Sequence, residues 1–283
     1  MNKPYLKTNN DVIRYYFIYI IALLPLIIYG IFTNNFISFV FLGITLLMGN
    51  IIDITICYFK KEKLNNNDLL KNNLIYLLIS LLTPTNINIF VYIGIFIITY
   101  SILKILNKKY FVIIPIILML IYEIILKTKL DSNMILTFIN YFLGYQNSHL
   151  FISSIFLNIV GLVILSTTNI YKKEIAIISS SLYLLFLFLM GIIFNNLDFY
   201  FNNYYISYNL FIFFFIAPFN YNSCYTKTGK ILSSIIIAVI SFISTIFNIF
   251  YGSLIAIFII NLMHNIIDNN AIKWDFKAKS VKF

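Results

Sequence analysis

Apolar residues run along this chain in about ten stretches, most of them roughly 14–22 residues long, parted by short polar connections. The first two, about 13–31 and 36–58, are joined by the turn Thr33-Asn34-Asn35. A short third, about 69–82, stops at Thr83-Pro84-Thr85-Asn86, and 87–105 and 110–126 follow. After a mixed stretch over 127–149 come 150–168, 175–194 and 205–217, the last halting at Ala217-Pro218. Two more, about 231–249 and 252–267, precede a basic tail. Stretches of this length and polarity predict an all-α, polytopic integral membrane protein of about ten transmembrane helices. The first is too long for a signal-peptide core and lacks a small-residue cleavage site, so it is expected to be a retained span.

Charge adds orientation. Of the 20 Lys and Arg, 18 fall before the first span or in every second connection: Lys3, Lys7 and Arg14; Lys60, Lys61, Lys63 and Lys71; Lys104, Lys108 and Lys109; Lys172 and Lys173; Lys227 and Lys230; and the tail. Only Lys127 and Lys129 break the alternation. Positive residues remain on the cytoplasmic side during insertion, so both termini are expected to be cytoplasmic in a cell membrane. The net charge of +10 then reports topology and attraction to anionic lipid rather than nucleic-acid binding.

Composition agrees, because 61% apolar and 11% charged residues leave too little polar surface to clothe a soluble globule of 283 residues. The expected partner of this surface is the bilayer. Cys57 and Cys224 both lie towards the reducing side, are too few for a four-thiolate centre, and read as small apolar fillers.

Ten spans divide into five and five, and an odd number per half turns the second half over. The expected organisation is a first membrane repeat over 1–126, an outer connection over 127–149, and a second repeat with a basic tail over 150–283. In each half the third span is the short one and ends in a Pro turn: Thr83-Pro84 in one, Ala217-Pro218-Phe219-Asn220 in the other. Broken helices at matching places point to a central cavity lined by Thr83, Pro84, Ala217, Pro218 and Asn220. Two short helices with ordinary proline stops are the alternative.

Among intramembrane polar residues, Asp53 stands out, about five residues inside the inner end of its span. A carboxylate at that depth must turn inward. It is the ion-path candidate, exchanging a proton or Na+, or else a structural group paired with a lysine at the inner face. Glu123 reads as an i,i+4 partner of Lys127, and Asp268 as an interfacial residue. His149 and His264 lack companions at ligand spacing, so no metal site is expected, and no Walker loop, GxGxxG, GxSxG or HExxH is present. No catalytic residue is assigned, and the chain does not read as a self-sufficient enzyme.

Several separate motifs resemble those of a known family, the RnfD/NqrB family of membrane subunits, which serve the Rnf electron-transport complex and the related Na+-translocating NADH:quinone reductase. They are Pro4-Tyr5, Arg14, Ala22-Leu23-Leu24-Pro25 and Asp53, where the family has Glu; then Asp68, Leu81-Leu82-Thr83-Pro84 and Gly94. Near the end, Ser223, Thr226, Gly229 and Lys230 are similar to its polar turn and Gly-Arg helix start, and Asn261 with Ile267-Asp268 to its last span. The resemblance covers most of the chain. It implies two inverted five-helix repeats, the other subunits of an Rnf-like membrane complex as partners, and work coupled to Na+ or H+ movement. It also implies a flavin mononucleotide joined through a phosphoester to Thr in a Ser/Thr-Gly-Ala-Thr-like motif.

That motif is missing. The outer connection reads Leu130-Asp131-Ser132-Asn133-Met134-Ile135-Leu136-Thr137, so neither Ser132 nor Thr137 has the setting for covalent flavin, and none is expected. The family's glycine-rich passage after span four is replaced by Leu106-Asn107-Lys108-Lys109-Tyr110, and its Thr-Asp-Pro turn by Pro218-Phe219-Asn220. The expected function is a divergent, shortened RnfD-like subunit of an ion-translocating complex. A stand-alone inverted-repeat channel or transporter for a small solute or vitamin is one rival, and a structural membrane protein with a vestigial cavity is another.

Overall fold

The structure, a computed structural model, describes residues 9–33, 35–61, 66–83, 87–105, 111–126, 142–144, 154–195, 205–219, 222–247, 249 and 251–280. Among the described residues, five helices form the first half: α1 (Asn9–Thr33), α2 (Asn35–Lys60), α3 (Asn66–Leu82), α4 (Ile89–Ile105) and α5 (Ile113–Leu126). Five form the second: α6 (Ile155–Ser166), α7 (Lys173–Ile193), α8 (Tyr205–Phe211, continued by a π-turn at Ile212–Ile216), α9 (Lys227–Ile246) and α10 (Gly252–Ser280). The protein is an all-α polytopic membrane protein. α1, α2, α7, α9 and α10 are long and apolar enough to cross a bilayer by themselves.

Their outer faces carry what a water-facing helix would not. Phe17, Ile28, Leu47, Ile54, Leu189, Ile193 and Ile243 are all exposed, a surface suited to acyl chains. The inward faces carry small hydroxyl residues instead. On α9, Gly229, Ser233, Ser234, Ala238, Ser241 and Ser244 are buried against α7 and α10. Between apolar helices in apolar solvent, close packing of small side chains replaces the hydrophobic drive. Their hydroxyls stay satisfied within the helix: Ser241 Oγ donates to Ile237 O at 2.7 Å, and Thr245 Oγ1 to Ser241 O at 2.8 Å.

Most neighbour relations of the halves repeat with a shift of five helices, the packing of α1 on α2 being the exception. In the first half α2 packs on α3 and α4, α4 on α5, α1 on α3, and α3 on α5; in the second α7 packs on the π-turn and α9, α9 on α10, α6 on α8, and the π-turn on α10. The halves meet through α1 with α6 and α5 with α10, pairs that the same shift maps onto themselves. At the α1–α6 crossing Gly161 sits against the Ala22 carbonyl and the Phe215 ring, where a Cβ would collide with the ring.

Two element ends depart from the sequence expectation. α8 does not simply stop at its proline: Ala217 N–H bonds back five residues to Ile212 O at 2.8 Å, widening the last turn. α10 runs beyond 267 to Ser280, because its polar end needs no bilayer to stay helical.

Candidate functional site

Asp53 lies on α2 with no exposed surface, facing α3 and α4. Each helix offers an i,i+4 pair, which places two side chains one above the other on a single face. α2 supplies Gly49 and Asp53, α3 supplies Asn72 and Tyr76, and α4 supplies Tyr100 and Lys104. Asn72 Nδ2 donates to Asp53 Oδ2 at 2.5 Å and the Tyr76 hydroxyl to the same oxygen at 2.6 Å. The Tyr100 hydroxyl donates to Oδ1 at 2.9 Å, and Lys104 Nζ pairs with Oδ1 at 2.9 Å.

An ionised carboxylate offers about four acceptor positions, and four donors meet them here. Burying a carboxylate costs several kcal/mol unless a counter-charge and hydrogen bonds replace its water; Lys104 supplies the charge and three neutral donors the rest. The shell is itself held. Tyr76 and Tyr100 hydroxyls lie 2.8 Å apart, and the Tyr76 hydroxyl is also 3.0 Å from Gly49 O. Tyr100 stacks on Phe96 with nearly parallel planes and centroids 5.6 Å apart. Lys104 keeps 30% of its side chain exposed, so the cation is the member of the cluster in touch with the aqueous edge.

The matching helices of the second half, α7, α8 and α9, carry a neutral version. Asn209 Nδ2 donates to the Tyr183 hydroxyl at 2.8 Å, which lies 3.0 Å from Thr245 Oγ1.

A third cluster secures the turns at the lysine-rich end of that half. Carbonyls that the π-turn frees are taken by side chains from elsewhere: Phe214 O by the Tyr171 hydroxyl at 2.7 Å, Phe215 O by the Tyr19 hydroxyl, and Ile216 O by Asn222 Nδ2 at 3.0 Å. Asn261 Nδ2 in turn donates to Asn222 Oδ1 at 2.9 Å. Lys172 Nζ donates to Ser223 Oγ at 2.6 Å and to the Ser223 and Cys224 carbonyls at 3.2 Å each. Asp268 receives Tyr225 N–H and Thr226 N–H at 3.0 Å each and the Thr226 hydroxyl at 2.6 Å. Thr226 caps α9 by accepting from Gly229 N–H at 3.1 Å, and a Cβ on Gly229 would meet the Asp268 carboxylate at 2.6 Å. Burial and the neighbouring Asp268 push the Cys224 thiol up to about 11.

Asp53 thus sits at the centre of the site, and among the described residues its bonded partners come from α3 and α4 rather than from Thr83, Ala217 or Pro218. Thr83 is buried and closes α3 by donating to Ser80 O at 2.8 Å; Ala217 and Pro218 are buried beside the π-turn. Pro84, Asn220, the Glu123 side chain, Ser132, Thr137 and His149 lie outside the described residues. Asp268 does more than sit at an interface, since it holds the start of α9. His264 Nδ1 lies 2.7 Å from Asn261 O, and both cysteines are free. Among the described residues no group of three or more His, Cys, Asp or Glu could hold a metal. Sequence reasoning foresees a lysine at the inner face as a partner of Asp53 without naming Lys104, and misses Gly49, Asn72, Tyr76 and Tyr100. Their i,i+4 spacing on three consecutive spans becomes informative only once those helices are seen to face one another.

Comparison with known families finds no family model that matches this chain, and comparison with curated proteins finds no match.

Proposed function

We propose that this protein is an RnfD-like membrane subunit of an Rnf-type ion-translocating electron-transport complex, set in the cell membrane with both termini cytoplasmic. One observation carries the reading. Of the residues that resemble the family's motifs, Thr226 and Gly229 form one bonded set with the distant Asp268 at the start of α9, and Asp53 is the charged centre of a second set whose other members lie outside the motifs. The lysine alternation supports the orientation, and the five-helix shift in packing supports two inverted repeats.

In this reading Asp53 belongs to the ion path and the chain carries no covalent flavin. The segment 130–137 lacks the Ser/Thr-Gly-Ala-Thr pattern that covalent attachment needs, and this chain contributes the membrane route. Affinity purification of the tagged full-length chain from its native membrane tests the assignment. Co-purification of flavin-carrying and iron–sulfur subunits is the expected result; isolation of the chain alone, in mild detergent and after cross-linking, overturns it. In the assembled complex in proteoliposomes, Asp53→Asn is expected to leave assembly intact and abolish coupled Na+ or H+ uptake, whereas unchanged coupling removes Asp53 from the path.

A further inference from the structure

We propose that the groove between the outer faces of α2 and α4 is a site for one anionic phospholipid of the leaflet on the lysine-rich side. Its phosphate is held by Lys60 and Lys61, and its acyl chains lie along the apolar stripes of the two helices. The proposal goes beyond the reading of the chain as an RnfD-like subunit and does not depend on it.

Two matching stripes define the groove. On α2 the exposed residues Leu47, Ile51 and Ile54 follow at steps of four and three, and on α4 the exposed Ile98, Ile102 and Ile105 do the same. That spacing keeps each set on one face of its helix. α2 packs on α4, and the two helices end together on the lysine-rich side, at Lys60 and Ile105. The α2 stripe continues to Tyr58, 82% exposed, and then to the exposed Lys61, where the backbone leaves the helix with φ 54°. Lys60 reaches across the gap, its Nζ donating to Lys104 O at 3.5 Å, so its cation stands over the end of α4. From Leu47 to Tyr58 the helix rises about 17 Å, against about 15 Å for half of a hydrocarbon layer. Apolar stripes one leaflet deep that finish in a phenol and two ammonium groups repeat the order of a phospholipid, acyl chain first and phosphate at the water.

Charge at this edge favours an anion. Lys104 and Asp53 cancel one another, whereas residues 60–71 set Lys60, Lys61, Lys63 and Lys71 against Glu62 and Asp68, a net +2. A phosphate diester brings a single negative charge, and a lipid with a net-neutral headgroup brings its own cation with it. A transmembrane helix of another subunit is the rival occupant. Helix association in lipid relies on small residues that let backbones approach, and the six stripe residues are all Leu or Ile. Such a helix also carries no phosphate for Lys60 and Lys61, while Tyr58 and the 83% exposed Phe59 supply the aromatic edge at which headgroups sit.

The experiment uses the wild-type, full-length protein as purified from its native membrane, placed in phosphatidylcholine nanodiscs that contain phosphatidylglycerol with a photoactivatable diazirine in one acyl chain. Irradiation and peptide mapping are expected to find adducts on α2 between Leu47 and Phe59 and on α4 between Ile98 and Ile105. Unlabelled phosphatidylglycerol should displace them saturably, while the same amount of extra phosphatidylcholine, or soluble glycerophosphoglycerol, should not. Lys60→Ala/Lys61→Ala should lower labelling of both stripes by about tenfold, and Lys60→Arg/Lys61→Arg should retain it. Lys273→Ala, which removes an exposed lysine on α10, should leave the two stripes unchanged. Should the alanine variant fail to insert, competition in the wild-type protein decides alone. Equal displacement by the two lipids overturns the proposal, as does full labelling in the alanine variant. Displacement by the soluble headgroup would make the lysines a phosphate site without a lipid, and protein cross-links from the stripes in place of lipid adducts would give the groove to a partner helix; either result also overturns it.

Discussion

Gly49 is the notch that lets Tyr76 reach Asp53, and filling it is the most direct test of how the cluster is built. A Cβ at Gly49 would stand 2.5 Å from Tyr76 Cζ and 2.6 Å from both Cε atoms, well inside van der Waals contact. The ring cannot tilt away freely. It packs edge-on against Phe96 and Tyr100, and any tilt withdraws the hydroxyl from Asp53 Oδ2 and Gly49 O. Overpacking costs about 1–3 kcal/mol and a lost hydrogen bond to a charged group about 1.5–3 kcal/mol. Better helix propensity returns about 1 kcal/mol, so Gly49→Ala should destabilise by about 2–5 kcal/mol. Gly43 and Gly94 serve as controls, because a Cβ at either meets nothing within 4 Å. Gly43→Ala and Gly94→Ala should therefore be neutral or slightly stabilising. The assay is the fraction of monodisperse protein left after heating in detergent, where the Gly49 variant should lose on the order of 5–10 °C. If Gly49→Ala matched Gly43→Ala in this assay, the tight seating of Tyr76 and the account of the Asp53 shell built on it would be refuted.

Four further outcomes are expected. The Cys224 thiol, pushed up to about 11 by burial and then by Asp268, holds only on the order of one thiolate in ten thousand at pH 7, so its alkylation should rise about tenfold per pH unit through the alkaline range. Asp268→Asn removes one raising influence and the charged acceptor of three hydrogen bonds; alkylation should quicken at fixed pH, and trypsin should cut sooner at Lys227. Cysteines placed at Asn34 and Asn196 should react with membrane-impermeant maleimide from outside the cell, and reaction only in inverted vesicles would reverse the orientation. Denaturing gels should show no flavin fluorescence in the protein's band, and a band that disappears in Thr137→Ala would disprove this.

Much of the helix layout is legible from hydropathy because bilayer thickness imposes a length that no other apolar segment needs, and because lysine marks one side. The site is legible only in part. Asp53 declares itself, since a carboxylate inside an apolar span is rare. Its companions do not: with 22 tyrosines in the chain, and asparagines throughout, a Tyr four residues before a Lys or after an Asn is no signal until three helices are seen to face one another. Lys104 illustrates a deeper ambiguity, because a lysine that the sequence pattern reads as a marker of sidedness is also the one that neutralises a buried carboxylate. The π-turn is invisible for a different reason. Nothing in Ile212-Phe213-Phe214-Phe215-Ile216 itself forbids an ordinary helix; the wider turn is held by hydroxyl and amide groups from α1, from the residue before Lys172 and from Asn222.

The bonded ends of that π-turn bear on how the chain is made. From Tyr205 to Ile216 the segment is twelve residues, about 18 Å of helix against a hydrocarbon layer of about 30 Å. An emerging helix this short, with carbonyls open at its end, gains little by leaving the translocon for lipid unaided. Its receptor is already waiting: Tyr19, 196 residues earlier in synthesis, offers the hydroxyl for Phe215 O, and Tyr171 the one for Phe214 O. The end of α8 is thereby completed by a side chain from the other half, and a chain without α1 would leave Phe215 O without its hydroxyl donor.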